Sequence, residues 1–384
     1  MRKPLEKLEA GLPAGWYYDP AHYQRELEVF WYSKWVAAAR EEEIATPGDW
    51  RVVRIGTQSI VVVRDEKAQI RAFHNTCRHR GSVLCTGENG RFERQRIVCP
   101  YHSWTYDLSG RLVATPRRME TADFDFERFP LFEVAADSWG GFVFVNLAGR
   151  KAPALDVGDF QQRFERYGFG ELRIGKRIVA DLRANWKLVA ENFSECFHCP
   201  PVHPELCRVV TAYRDAGAWG LRSEPESKPE YAPGAATLTL DGSARLPAFR
   251  GLTDAERKAV YIPAMLPPNL FLNVQPDYVN SHLMFPTGPD SVRIVYDWLF
   301  EPRHLPLAEA DLAHYVALWD VTNRQDAQNC EWQQQGMQSR EFRHGHYVPQ
   351  EFDCHRFARW VRVELSGRAA SRSRRGRTAR RARR

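Results

Sequence analysis

Two groups of residues in this chain have the types and spacing to hold metal ions. The first is Cys77-Arg-His79, followed nineteen residues later by Cys99-Pro-Tyr-His102. Two thiolates and two imidazoles in paired C-x-H and C-x-x-H half-sites suit either zinc or a [2Fe–2S] cluster with cysteines on one iron and histidines on the other. The second is ENFSECFHCPPVH, residues 191–203, with two carboxylates, two cysteines and two histidines. On a helix at 100° per residue, Glu191, Glu195 and His198 fall on one line, and Val189, Phe193 and Phe197 lie toward the opposite side. A plain amphipathic helix with a solvated polar face has the same periodicity. Pro200 and Pro201 are expected to end the helix and turn His203 back beside His198. Cys196 and Cys199 form a C-x-x-C, but zinc there would need two more donors and only Cys207 is near in sequence. The eight cysteines read as metal ligands and inert buried thiols rather than disulfides, with Cys85 among the inert ones.

A carboxylate for the second site lies downstream, in VTNRQDAQNCEWQQQGM, where Asp326 sits on an expected helix and Glu331 is the fallback. Two histidines and one carboxylate on one face of a metal leave its other positions open, as an iron centre that binds O₂ beside a substrate requires.

The elements that must position these groups divide in two. Residues 1–40 read as a helical segment from the spacing of AHYQRELEVFWYSKW behind Pro20. Short strands follow, in RVVRIG, SIVVVRD, QIRAFHN, RIVCP and GGFVFVNL, and assign residues 41–150 to a β-rich domain. GRKAPALDVGDF, residues 149–160, has a linker composition. In residues 160–366, RIVADLRANWK runs from strand into helix. LFLNVQPDYVNSHLMFP and SVRIVYDWLFEP read as strands joined at TGPD, and a helix of roughly 307–337 precedes an irregular end. The class is α+β.

CRHRGSVL and CPYHSWTYDLSGRL resemble the paired loops of a Rieske domain, with Gly81, Trp104 and Gly110 in the expected places. Ser103 stands where that family mostly has glycine, and the spacer runs slightly long. Arg80–Gly81 and Tyr101 replace the extra cysteines of respiratory Rieske proteins, so the resemblance is to the oxygenase type. N-W-K-x-x-x-E-N-x-x-E-x-x-H-x-x-x-x-H with a later Q-D-x-x-x-C-E is similar to the α subunits of Rieske non-haem iron oxygenases. The likeness implies a Rieske [2Fe–2S] domain, held by Cys77, His79, Cys99 and His102, followed by a helix-grip catalytic domain. It makes His198, His203 and Asp326 ligands of a mononuclear Fe(II), and leaves Cys196 and Cys199 unligated. It further implies a homotrimer in which Glu195 bridges a histidine of each metal site across subunits, with Glu191 in support. A flavin reductase, with a ferredoxin in some members, passes electrons from NAD(P)H.

The substrate expected from the resemblance is a quaternary ammonium compound, as in the glycine betaine, stachydrine and carnitine oxygenases; hydroxylation of an N-methyl group would release formaldehyde. The alternative is an aromatic-ring-hydroxylating dioxygenase or aromatic demethylase. A methylated ammonium needs an aromatic box, for which Phe271, Tyr278, Phe285, Tyr296, Trp298 and Trp319 are available, although aromatics alternating on strands are core residues first.

Bulk properties agree with an enzyme. In 384 residues, 43% are hydrophobic and 12% aromatic, and no run is long enough to span a membrane. MRKPLEKLEAGLPAG is charged without a following apolar stretch, so no secretory signal and a cytoplasmic location are expected. The net charge of +6 is set by nine arginines between Arg368 and Arg384; without them the chain would be near −3 (+6 less 9). Residues 367–384 read as a separate disordered tail rather than a nucleic-acid-binding element.

Overall fold

A computed structural model describes residues 4–216, 231–258 and 262–367; the arginine-rich segment expected to be a tail lies outside them. The chain forms two compact units, Trp31–Arg173 with Leu266–Leu270, and Met1–Phe30 with Ile174–Met265 and Phe271 onward.

The first unit is built on a seven-stranded sheet. Its order is Val36–Arg40, Phe142–Asn146, Glu133–Trp139, Ile70–His74, Gln58–Arg64, Asp49–Ile55, Asn89–Arg91. Val61 and Val63 of the sheet join Phe73, Ile97, Trp104, Tyr106, Leu108, Leu112 and Leu131 in an apolar core that also encloses Cys77, Cys85 and Cys99. A three-stranded sheet, Arg96–Val98, Thr105–Asp107 and Leu112–Ala114, carries the second cysteine loop.

The second unit holds a five-stranded sheet ordered Arg173–Leu182, Ser291–Phe300, Val279–Gly288, Leu270–Val274, Ile262–Leu266. Val279–Gly288 and Ser291–Phe300 pair antiparallel, with His282 opposite Tyr296. LFLNVQPDYVNSHLMFP is thus two strands, because Pro276 has no N–H for a ladder and the Gln275 amide turns back to the Tyr278 carbonyl at 3.0 Å. The long helix Glu309–Met337 covers this sheet: the Trp298 indole donates to the Tyr315 carbonyl at 3.2 Å, and that of Trp319 to the Tyr278 hydroxyl at 2.8 Å. Among the described residues no helix is long and apolar enough to cross a membrane.

Three local expectations change. Residues before 40 hold one α-helix, Pro20–Glu26, capped by the Asp19 carboxylate; strands Glu9–Pro13 and Val36–Arg40 lie on either side. Residues up to Phe30 fold with the second unit rather than as a segment of their own. After the long helix the chain is regular, with strand His344–Tyr347 pairing with Glu9–Pro13 and a helix at Phe352–Leu365.

Candidate metal centres

In the first unit both cysteine loops close in the same way. The Cys77 amide donates to the Ser82 carbonyl at 2.8 Å, and the Gly81 amide returns to the Cys77 carbonyl at 3.1 Å. In the second loop, the Cys99 amide reaches the Trp104 carbonyl at 2.8 Å and the Ser103 amide reaches the Cys99 carbonyl at 3.0 Å. The fourth residue after each cysteine has a left-handed backbone, Gly81 at φ +73° and Ser103 at φ +57°. The turn asks for glycine there, and Ser103 adopts the same conformation against its preference.

The loops bury the thiols and present the imidazoles. Cys77 and Cys99 are each 2% exposed, whereas His79 and His102 are exposed with ring centroids 4.7 Å apart. His79 stacks on Trp104 at 4.9 Å. Tyr106 places its hydroxyl 3.4 Å from the Cys77 sulfur and accepts the Arg78 amide at 3.1 Å. Desolvation, His102 and Arg80 hold the His79 pKa below its ordinary value, which leaves a ring nitrogen free to ligate. Two soft donors inside and two imidazoles outside fit a cluster with one iron on each side. Cys85, whose pKa is pushed up to about 12 by burial, is an inert thiol; its carbonyl accepts from the Asn75 side chain.

In the second unit the helix starting at Trp186, capped by Asn185, ends at Phe193. The single line of Glu191, Glu195 and His198 therefore does not form. The Ser194 hydroxyl bonds back to the Ala190 carbonyl at 2.6 Å, and Glu195 Oε2 accepts the amides of Phe197 and, at 3.2 Å, His198. Side chains that satisfy the backbone locally compete with helix. Pro200 and Pro201 then begin a short helix, Cys199–Val202, rather than ending one, as proline's fixed φ favours at a first turn. Cys196 and Cys199 are joined as a disulfide, not left as separate thiols.

Despite the break, His198, His203 and Asp326 converge, with one donor atom from each lying within 4.8 Å of the others. Asp326 Oδ1 is 2.9 Å from His203 Nε2, 3.3 Å from His198 Nε2 and accepts the Asn192 amide at 3.0 Å. The outer nitrogens are held from behind: His198 Nδ1 by Glu195 Oε1 at 2.5 Å, and His203 Nδ1 by Gln325 Oε1 at 2.7 Å. Such outer contacts fix ring orientation and leave Nε2 as the ligating atom. Burial opposes a charge on His198, but Asp326 and Glu195 outweigh it and raise its pKa to about 10. A site with that affinity for a proton suits a dication, and nitrogen and oxygen donors suit iron. Glu331 does not reach this centre; its carboxylate accepts the Arg183 amide at 3.0 Å. Glu191 stands apart as well, accepting from the hydroxyls of Tyr17 at 2.9 Å and Tyr347 at 2.7 Å.

A cavity of about 150 Å³ opens beside the triad. Of the aromatics expected to box a substrate, Trp319 lines it, together with Phe193, Tyr213 and Phe352, which sequence reasoning did not select. Phe271 packs behind Phe193 at 4.9 Å, Tyr296 behind His282 at 4.6 Å, and Phe285 is a buried residue of the same sheet. Tyr278 and Trp298 are fully buried.

Residues 34–125 match the Rieske [2Fe-2S] domain, and residues 169–367 match the ring hydroxylating alpha subunit (catalytic domain). The glycine betaine monooxygenase oxygenase subunit of Chromohalobacter salexigens is 31% identical over 381 residues, spanning 91% of this chain and 84% of its own. The chloroplastic choline monooxygenase of Arabidopsis thaliana is 28% identical over 367 residues, spanning 92% and 82%. A solved quaternary ammonium Rieske monooxygenase superposes with a TM-score of 0.75 at 21% identity, over 93% and 96% of the two chains, a likeness of fold. A Rieske domain joined to such a catalytic domain defines an O₂-dependent oxidoreductase. The chain belongs to the ring-hydroxylating oxygenase α-subunit family, and its cofactors are a Rieske [2Fe–2S] cluster and a mononuclear iron.

Proposed function

We propose that this chain is the oxygenase component of a multicomponent system that hydroxylates an N-methyl group of a quaternary ammonium compound. In this reading Cys77, His79, Cys99 and His102 hold the cluster, within a domain of residues 41–150. His198, His203 and Asp326 hold the iron, within a domain of residues 160–366. The cluster supplies single electrons and the iron a centre open to O₂ beside the substrate. A flavin reductase drawing on NAD(P)H, with or without a ferredoxin, provides the electrons. The assembly is a homotrimer in which Glu195 joins His198 to a cluster histidine of a neighbouring subunit. Balanced, R₃N⁺–CH₃ with O₂, two electrons and two protons gives R₃N⁺–CH₂OH and water. The carbinol then loses formaldehyde and a proton, and nitrogen keeps the C–N electron pair.

The observation that carries the substrate class is the cavity wall. Phe193, Tyr213, Trp319 and Phe352 line the space beside His198, His203 and Asp326, and the carboxylates of Glu195 and Asp353 line it too. A methylated ammonium donates no hydrogen bond and is held by ring faces, at roughly 0.5–2 kcal/mol each. The three residues on the metal are anchored by Glu195, Gln325 and Asn192, so the substrate meets a fixed wall. With NADH, a generic flavin reductase and glycine betaine or choline, we expect substrate-dependent O₂ uptake, with formaldehyde from the betaine. A cis-diol or phenol from an aromatic acid, with neither ammonium compound consumed, would overturn the reading.

A further inference from the structure

One histidine in the cavity takes no part in the metal triad. His282, on the strand Val279–Gly288, is 8% exposed and lines the cavity. Its ring is flanked edge-on by Tyr296 at 4.6 Å, Phe193 at 6.1 Å and Trp319 at 6.2 Å. Its Nε2 lies 2.6 Å from Asn280 Oδ1, and the Asn280 amide is oriented by donation from Nδ2 to the Asp297 carbonyl at 3.3 Å. Oδ1 is therefore the acceptor, and Nε2 carries the ring proton. Burial lowers the pKa of His282 to about 3, so at neutral pH Nδ1 has no proton. Among the described residues no hydrogen bond reaches that nitrogen.

Asn273, on the neighbouring strand Leu270–Val274, also lines the cavity and is fully buried, with its side-chain amide 3.3 Å from the same Nε2. The Nε2 side of the ring is thus enclosed by Asn273 and Asn280. Buried polar atoms are nearly always paired, and the unpaired Nδ1 is left for what enters the cavity.

We infer that the bare Nδ1 of His282 is an acceptor subsite for the positively polarised methyl groups of the substrate, and that it selects a cationic over a neutral head group. The inference rests on the quaternary ammonium reading above. Hydrogens on carbons bound to cationic nitrogen carry part of its charge and make weak C–H···N and C–H···O bonds; those of a tert-butyl group carry almost none. Neutrality matters as much as the lone pair, because an imidazolium here would repel the ligand. Asn280 acts as a positioning residue, holding the tautomer that leaves Nδ1 bare.

The test compares binding of glycine betaine and of 3,3-dimethylbutanoate, its isostere with carbon in place of nitrogen, to the oxidised holoenzyme by calorimetry. Wild type should prefer the betaine. His282→Phe keeps a ring without the acceptor and should shrink that preference about two- to five-fold, the worth of one such contact. His282→Gln, which retains an acceptor, should keep most of the preference. Circular dichroism and iron content confirm that each variant is folded; should His282→Phe fail to fold, Asn280→Leu is read for the same loss. Unchanged preference in folded His282→Phe, or an equal loss in His282→Gln and His282→Phe, would overturn the subsite while the substrate class stood. Wild type that binds neither ligand, or both equally, would overturn the substrate class and the subsite together.

Discussion

Glu195 does two jobs with one carboxylate. Oε2 gathers the amides of Phe197 and His198 and so shapes the loop, while Oε1 holds His198 Nδ1 at 2.5 Å. Glu195→Gln keeps the size and one acceptor but loses the charge. The loop should keep its form and both metals should stay bound, as measured by iron content and by the reduced cluster's paramagnetic resonance. Turnover should fall roughly 10- to 100-fold from loss of an orienting partner alone, and further where electrons pass through the carboxylate. Near-normal single-turnover transfer from cluster to iron would contradict the bridging role. Replacing His203, whose ring nitrogens meet Gln325 and Asp326, should instead remove the mononuclear iron and leave the cluster signal intact.

At the scale of elements, the two cysteine loops give the sharpest test. Ser103 bears a left-handed backbone that costs an L-residue roughly 1–2 kcal/mol, whereas glycine loses about 0.5–1 kcal/mol in chain entropy. Ser103→Gly should therefore stabilise the unit by up to about 1 kcal/mol. Gly110→Ala should destabilise it by roughly 1–3 kcal/mol, since φ is +86° and a Cβ would stand 2.5 Å from the Phe73 ring. Thermal unfolding of the two variants should move in opposite directions. These loops were readable in the sequence because each ligand pair and its turn lie within a few residues. The helix through residues 186–199 was misread for the converse reason. Periodicity counts apolar positions and does not register that Ser194 and Glu195 satisfy the backbone themselves. Asp326 was found through its motif, but Tyr213 and Phe352 reach the cavity from segments with no local signature. The buried polar run Asn273, Gln275, Asp277, Asn280, Ser281 and His282, on two strands and the connection between them, was the overlooked sign, since Asn273 and His282 line the cavity.

Across the whole molecule, Glu191 ties together parts of the chain far apart in sequence, through Tyr17 and Tyr347. Desolvation raises its pKa to about 7 against those hydrogen bonds, and burial lifts Asp277 to about 6. A carboxyl raised on folding binds more protons in the native state than in the unfolded one between its two pKa values, so native stability must fall as pH rises through that window. For Glu191 the window runs from about 4.5 to about 7. The full linkage value is ~3 kcal/mol, and solvent beside this half-buried residue trims it to about 1–2 kcal/mol. Measured against Glu191→Gln, the melting temperature of the wild type should decline from pH 5 to pH 7, and the difference should level off above. The Asp277 share, present in both proteins, drops out of that difference. The cysteine loops bear on a different property. Each closes through its own main chain, so Arg80 and exposed Tyr101, whose guanidinium and ring lie 5.7 Å apart, are not needed to keep the loops folded. The outward side chains of these loops can therefore be exchanged for others while the scaffold beneath keeps its form.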